Sequence, residues 1–468
     1  LLETKILQYL RKKKGFFFKE HSNFEKIDFK YLEDFEKNIA IKNIWKMISA
    51  DRIYGRSYIN DVHGYESNYT NKNSSKILID FVEVAKGIEK VFKTYKPNAV
   101  FVPNGLSNID VTIMESLSKF YKVKFLTPET FRYKNFFYFN DNLENETLQI
   151  KKNYLKVKKK FKNNEKINKI FNKLTSKKNY VSADAKETKR ILEIINKKKI
   201  FETILGIKFY SILKHSYFFV LFSFGIKINH LKLLQKYDLF SSIFNEIQLK
   251  KNLKFLSNLH YPSLKNKYVY YPLHLNPETS TLLKGNDYMN QAFLVELISK
   301  NIPSNCKLYV KEHPAMLNSH PRKISFYKRI MKLPNVVLIN PNLDSRTVIS
   351  KAKAVIIVDG SSGLEAILSK IPLVTMKNFN LDFLGLSVTN YNIENLYFDI
   401  LSAIEKVRKV SKKEFELKIK ILLKSIEESG YLLRDPDTFY FFTRKETSEK
   451  EKNISAEDLA TAIIKELK

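Results

Sequence analysis

Apolar residues recur at helical spacing through much of the first hundred positions. In YLEDFEKNIAIKNIWKMI, Ile39, Ile41, Ile44, Trp45 and Ile48 fall on one face of a helix. SSKILIDFVEVAKGIEKVFKTY reads as a second helix with Ser75 near its start. The pattern then changes. KPNAVFVPNG holds a short β-rich run, 99–102, closed by Pro-Asn-Gly, DVTIMESLSKFY returns to helical spacing, and VKFLTP gives another strand. Such a β-loop-α-β unit builds a parallel sheet whose ligands sit beyond the carboxyl ends of its strands. That puts Asn104, Gly105 and Ser107 at a cleft edge.

From residue 267 onward the alternation is regular. YVYYPLHL, KLYVKEHP, NVVLIN, AVIIVDG and PLVTM read as strands, with YMNQAFLVELISKNI, ISFYKRIMKLP, TVISKA and SSGLEAILSK as the helices between them. Strands and helices alternating at this spacing make a doubly wound parallel sheet, so the fold class is α/β. The expected division is an N-terminal α/β domain over 1–150, a basic helical segment over 151–262 that completes the N-terminal half, a C-terminal α/β domain over 263–400, and charged C-terminal helices over 401–468.

Composition narrows the class. With 44% hydrophobic and 28% charged residues, the chain is neither a low-hydrophobicity disordered sequence nor a membrane bundle. The longest uncharged apolar stretch, 215–226, falls short of the roughly 20 residues a spanning helix needs. Cys306 is the single cysteine, so no intrachain disulfide forms, a zinc-thiolate site is excluded, and a reducing compartment is expected. The net charge of +32 is uneven: residues 151–200 hold 18 basic and 4 acidic side chains, followed by apolar, aromatic-rich helices over 201–256. A cationic segment beside an apolar one suits an anionic membrane surface, which is expected to be met through residues 151–230.

Candidate chemistry gathers at three strand ends of the second half. An apolar strand runs through Asp359-Gly360-Ser361-Ser362-Gly363 straight into a helix. The free N–H groups of that helix start, two glycines that permit close approach and two hydroxyls make an anion site, with Glu365 one turn in and able to accept from ribose hydroxyls. Plain N-capping by Ser361 or Ser362 is the alternative. The strand KLYVK delivers Lys311, Glu312 and His313 to its end before Pro314; the imidazole could donate to a phosphate or a leaving group, while Lys311 and Glu312 could equally form a surface ion pair. YYPLHLNPETST carries His274, Asn276, Glu278, Thr279 and Ser280, a carboxylate, imidazole and hydroxyl set of the kind a group-transfer site uses. The ends of one sheet's strands converge on one cleft. No HExxH, GxxxxGK[ST] or GxGxxG occurs, so a metal site, a P-loop and a dinucleotide fold lack their fingerprints.

The segments YPLHLNPETST, LYVKEHPAM, PNVVLINP and VDGSSGLEAI, in that order over about 267–376, resemble the bacterial capsule polysaccharide biosynthesis family, whose members include 3-deoxy-manno-octulosonate (Kdo) transferases of the GT-B type. The resemblance implies two Rossmann-like domains facing a cleft, an acceptor side in the N-terminal half and a nucleotide-sugar side in the C-terminal half. It implies a cytoplasmic glycosyltransferase that needs no metal or cofactor and uses a CMP-activated sugar as donor and a glycan or lipid-linked acceptor; the basic segment would hold it at the inner face of the cell membrane. His313 would contact the CMP phosphate, Ser361 and Ser362 would assist, Glu365 would lie near the ribose, and Glu278 would be the donor-side carboxylate and nucleophile; family members often carry aspartate there. A teichoic-acid-type polymerase using CDP-glycerol is the competing enzyme reading. The non-enzymatic one is a basic nucleic-acid or membrane binder, although no nucleic-acid-binding module is visible and no specific nucleic-acid partner is expected.

Overall fold

The computed structural model describes residues 27–59, 74–102, 107–130, 136–144, 148–176, 251–252, 254–313, 316, 322–377, 379–432 and 449–467. Most of the apolar stretch over 201–256, and the basic segment beyond 176, lie outside them. Helical spacing at the start gives α1 (Phe29–Asp34), α2 (Ile44–Ser49), α3 (Arg56–Ile59) and α4 (Ser74–Tyr95). Asp28 and Asn43 cap α1 and α2 by accepting amide hydrogen bonds, which satisfies N–H groups that have no partner inside the helix. Ile39, Ile44 and Ile48 are buried against Phe81, Val82 and Ala85 of α4, but Trp45 is 44% exposed. The backbone turns extended at Ala40 and again at Asn43, so no single helical phase runs through 39–48.

The first sheet grows from the expected unit. β1 (Ala99–Phe101), α5 (Ile109–Phe120) and β2 (Lys124–Thr130) form a parallel crossover, with Ala99 opposite Lys124. No side chain of the N-cap residue Asn108 caps α5; Asp51, far away in sequence, accepts the Ile109 N–H at 2.8 Å instead. β3 (Phe136–Asn140) then pairs antiparallel with β2, so this sheet is mixed where the sequence pattern suggested a parallel one. α6 (Leu148–Lys160) and α7 (Glu165–Thr175) follow. They bury Ile150, Tyr154, Val157, Ile167 and Phe171 in the cluster that holds Tyr268, Tyr270 and Tyr309 of the second half. The described part of the basic segment thus packs on the C-terminal half.

The second sheet is parallel throughout, in the order β6-β5-β4-β7-β8-β9. Its strands are β4 (Tyr268–Pro272), β5 (Lys307–Lys311), β6 (Val336–Ile339), β7 (Ala354–Ile357), β8 (Leu373–Thr375) and β9 (Ser387–Thr389). α8 (Gln291–Asn301), α9 (Ile324–Met331), α10 (Ser345–Lys351) and α11 (Ser361–Leu368) connect them. Alternation sorts the strand residues onto two faces. Tyr268, Tyr270, Tyr309, Val355 and Ile357 enter one cluster, and Val269, Tyr271, Leu308, Val310, Ala354 and Ile356 enter the other. Both faces are covered, which is why these strands read as continuous apolar runs rather than alternating ones.

The tail returns to the first half. After α12 (Leu396–Lys409) and α13 (Lys412–Ser429), β10 (Tyr431–Leu432) pairs antiparallel with β3 and completes the order β1-β2-β3-β10. α14 (Glu449–Leu467) holds it there, with Tyr431 donating to Glu466 at 2.7 Å and Ala462 packed on Leu126, Phe137 and Phe139.

A second link joins the halves. After β4 the chain passes Glu278 into a π-helical turn, Ser280–Lys284, that is wedged into the N-terminal half. Leu283 packs with Ala50, Val102, Val111 and Phe125, and Leu282 with Ile59. Asn286 donates to Ser49 at 2.9 Å, and Asp287 pairs with Lys46 of α2 at 3.2 Å and with Lys377 at 2.7 Å. Gly285 has no room for a side chain, since a Cβ there would stand 2.2 Å from Val358 Cγ1.

Candidate functional site

Strand order decides which polar ends meet. β4 lies between β5 and β7, so the residues just past these three strands stand side by side on one edge. Two residues beyond each strand are His274, His313 and Asp359. His313 and Asp359 therefore belong to strands about 10 Å apart, two strand spacings, with His274 between them.

His274 is buried and keyed into the frame. Its Nε2 lies 2.7 Å from the Asp359 carbonyl oxygen and 3.3 Å from the Asp359 backbone nitrogen, so both main-chain groups of Asp359 meet this one ring atom, and Nδ1 is buried with no hydrogen-bond partner among the described residues. Its backbone N–H donates to Gln291 at 2.6 Å, and its carbonyl accepts from Gln291 and Arg322. Burial holds the imidazole down at about 4, against the opposing pull of Asp359, so the ring is neutral at working pH. Its ring ties the end of β4 to the turn before α11.

That turn opens a helix with a glycine. Gly360 is the N-cap of α11 at φ 114°, a conformation that favours glycine, with open space where a Cβ would stand. As a glycine, the N-cap residue brings no side chain of its own to the helix start, and Ser361 and Ser362 are half-buried in the first turn. Gly363 has a different reason to be glycine. A Cβ there would meet Ile357 Cδ1 at 2.5 Å and Phe379 Cζ at 2.7 Å, so it secures helix-to-strand packing and not ligand approach. Glu365 is buried, and its charge bears on Lys311 and Tyr270 inside the fold.

Lys311 and Glu312 are not a surface pair. Alternation sends them to opposite faces of the sheet, and both are buried. The Lys311 amine donates to Ser345 Oγ at 2.7 Å and to the Leu343 carbonyl, and burial lowers its pKa to about 8 despite Asp344 and Glu365. It is committed to the loop before α10 and does not face a phosphate in the cleft. Glu312 accepts from Arg322 at 2.9 Å, from Tyr327 at 2.7 Å and from the His313 N–H at 2.6 Å. Arg322, fully buried, spans from Glu312 at the end of β5 to the His274 carbonyl at the end of β4. His313 itself stays half-buried at the rim.

The third cluster divides. Glu278 and Thr279 are half-buried at the start of the wedged turn, where Ser280 donates to Glu278 Oε2 at 3.2 Å. Asn276 is fully buried, donates to the Met289 carbonyl at 3.1 Å, and is part of the frame and not of a cleft wall. Ser107 is also fully buried, its carbonyl accepting the Arg52 N–H at 2.8 Å, so it does not stand at an open edge. Asn104 and Gly105 lie outside the described residues.

Sequence reasoning passed over Arg322, Lys284 and Glu129. Lys284 closes the wedged turn, with its ammonium 3.3 Å from Glu129 on β2 and 3.4 Å from Asp359. Burial works against that charge, but the Asp359 and Glu129 carboxylates outweigh it and raise the pKa. The one signal available was its place in the same segment as Glu278; nothing local points to a partner 155 residues away. Among the described residues, no group of three or more His, Cys, Asp or Glu is placed to hold a metal ion, and no helix is long and apolar enough to cross a membrane.

Two outcomes follow from this frame. Arg322→Met strands the Glu312 carboxylate in the core and is expected to cost about 3–5 kcal/mol in urea unfolding, with much of that recovered in Arg322→Met/Glu312→Gln. His274 titrates lower folded than unfolded, so the unfolded chain binds more protons between the two values. The stability it contributes is present above about pH 6.5 and is lost as pH falls through about 4. His274→Gln is expected to flatten that part of the stability profile.

Residues 218–397 match the family model described as capsule polysaccharide biosynthesis protein, which bears out the resemblance read from the four segments. No curated protein sequence matches the chain. Among solved structures, the Thermosulfurimonas dismutans KpsC β-Kdo 2,4 transferase is similar at 12% identity over 66% of this chain and 79% of that one, with a TM-score of 0.30. The β-Kdo 2,7 transferase of the same KpsC is similar at 10% identity over 71% and 88%, with a TM-score of 0.29. The spinosyn rhamnosyltransferase SpnG in complex with spinosyn aglycone matches at 12% identity over 37% of this chain, with a TM-score of 0.22; the chain spans 44% of that protein's length.

Proposed function

We propose that this chain is a glycosyltransferase of capsule or surface polysaccharide assembly, transferring a Kdo-like sugar from a CMP-activated donor to a glycan or lipid-linked acceptor. The family match over 218–397 supports the class. The observation that carries the site is the adjacency of β5, β4 and β7, which lines His313, His274 and the glycine-capped start of α11 along one edge. A CMP leaving group needs its phosphate charge neutralised as the glycosidic bond breaks. The amides of Ser361 and Ser362 with the His313 imidazole supply that without a divalent cation. Glu278, on the segment seated in the N-terminal half, is the donor-side carboxylate. In a double displacement its oxygen bonds the anomeric carbon while CMP departs with the electron pair of the broken C–O bond. An acceptor hydroxyl then attacks the anomeric carbon, the electron pair of the sugar–Glu278 bond returns to the carboxylate, and the hydroxyl proton passes to the released CMP phosphate.

The basic surface suits the acceptor side. Lys156, Lys159, Lys160, Lys162 and Lys424 line a groove of about 380 Å³ between α6 and α13, with Glu428 as its one carboxylate. A cationic surface of this kind favours a peripheral place on an anionic membrane, where lipid-linked acceptors are at hand. Lys156→Glu/Lys160→Glu is expected to reduce co-sedimentation with vesicles containing phosphatidylglycerol, and to leave the background level on phosphatidylcholine vesicles unchanged. Equal binding of both proteins to the anionic vesicles removes this part of the proposal.

Calorimetry with CMP, CDP, UDP and GDP tests the donor. CMP is expected to bind best, to lose about 10-fold or more in affinity in His313→Ala and Ser361→Ala, and to bind equally well in EDTA. Preference for UDP, or wild-type CMP affinity in both variants, overturns the donor assignment. Release of CMP from CDP-glycerol but not from a CMP-sugar moves the chain to glycerol-phosphate transfer.

A further inference from the structure

We propose that Lys284 is a positioning residue of the anion site at the start of α11, setting the local charge through Asp359 and tying that site to the N-terminal half. This rests on the reading above and deepens it.

Asp359 immediately precedes Gly360, so its carboxylate is a fixed negative charge next to the amides that would receive a phosphate. Uncompensated, it opposes an arriving anion. Lys284 compensates it, with Nζ 3.4 Å from Asp359 Oδ2, and the same nitrogen lies 3.3 Å from Glu129 Oε2 on the other half. The lysine side chain is only 12% exposed, which little-valued surface ion pairs are not. The main chain of Asp359 is fixed separately, by His274 Nε2 at 2.7 Å from its carbonyl oxygen. Contacts from two sides thus meet at the turn before α11. One comes from β4 inside the C-terminal half, and the other from a wedge whose Leu282 and Leu283 are packed in the N-terminal half. Lys284 therefore acts on an anion at α11 through Asp359, and the place of Asp359 depends on how the wedge is seated. A purely structural ion pair would cost stability when broken and leave anion affinity alone.

CMP affinity is measured by calorimetry, alongside thermal unfolding, for the wild type, Lys284→Met, Lys284→Arg, Asp359→Asn, Lys284→Met/Asp359→Asn and Lys284→Met/Glu129→Gln. Lys284→Met is expected to weaken CMP binding by about 10-fold, and Lys284→Arg to stay within about threefold of wild type. Removing the Asp359 charge as well, in Lys284→Met/Asp359→Asn, is expected to restore affinity to within about threefold, whereas Lys284→Met/Glu129→Gln stays weak. Asp359→Asn alone is expected to bind CMP at least as tightly as wild type, and decides the matter if Lys284→Met does not fold. Wild-type affinity in Lys284→Met, no recovery with Asp359→Asn, or weaker binding by Asp359→Asn alone overturns the proposal. A wild type that binds no nucleotide sinks the donor reading on its own. The same variants are then ranked by thermal shift with inorganic phosphate, and the absence of any phosphate effect on wild type overturns the role of Lys284 as well.

Discussion

Parallel strands deliver all their carboxyl ends to one edge, and the place of β4 between β5 and β7 is the constraint on which the candidate site depends. Three loops separated by dozens of residues become neighbours only because of that order. The register is set by side chains buried on both faces, tyrosines and aliphatics of β4, β5 and β7 alternating between two cores. A shift of one residue would exchange the two faces and move every strand-end residue away from its partners.

Polar groups at that edge are divided between frame and rim. Glu312, Arg322, His274 and Gln291 form a connected buried network that fixes the ends of β5 and β4 to each other. Buried charge is tolerated there because each partner is met by several hydrogen bonds. His313, Ser361, Ser362 and Glu278 are left half-buried around it. A rigid inner network with accessible groups at its margin is the arrangement that positioning of a reactive donor requires, since small misplacements of a reacting group are costly.

The two halves are bound by more than one crossing of the chain. α13 leads to β10, which completes the first sheet, and the wedge after β4 enters the first half's core with Leu283 while carrying Glu278 and Lys284. The consequence is that part of the C-terminal half's chemistry is seated on the N-terminal half. Lys284 stands between Asp359 and Glu129, one carboxylate from each half.

The uncharged runs at 268–272 and 354–357, the short strand at 99–101 and the helices between them were legible from the sequence, because their burial is written in local periodicity. So was the glycine-bearing turn at 359–363, since a strand running straight into a helix leaves amides free whatever surrounds it. The fates of Lys311, Asn276, Ser107 and Gly363 were not, because a strand-end residue faces ligand or core according to which neighbour packs there. Arg322 and Lys284 were invisible for the same reason: their partners lie 10 and 155 residues away or on another half, and no local pattern encodes a meeting that only the strand order and the wedge bring about. By itself the sequence determined the α/β elements and the glycine-bearing turn before α11. The tertiary structure alone decided which charges face each other, because electrostatic partnership depends on distance in space and not along the chain.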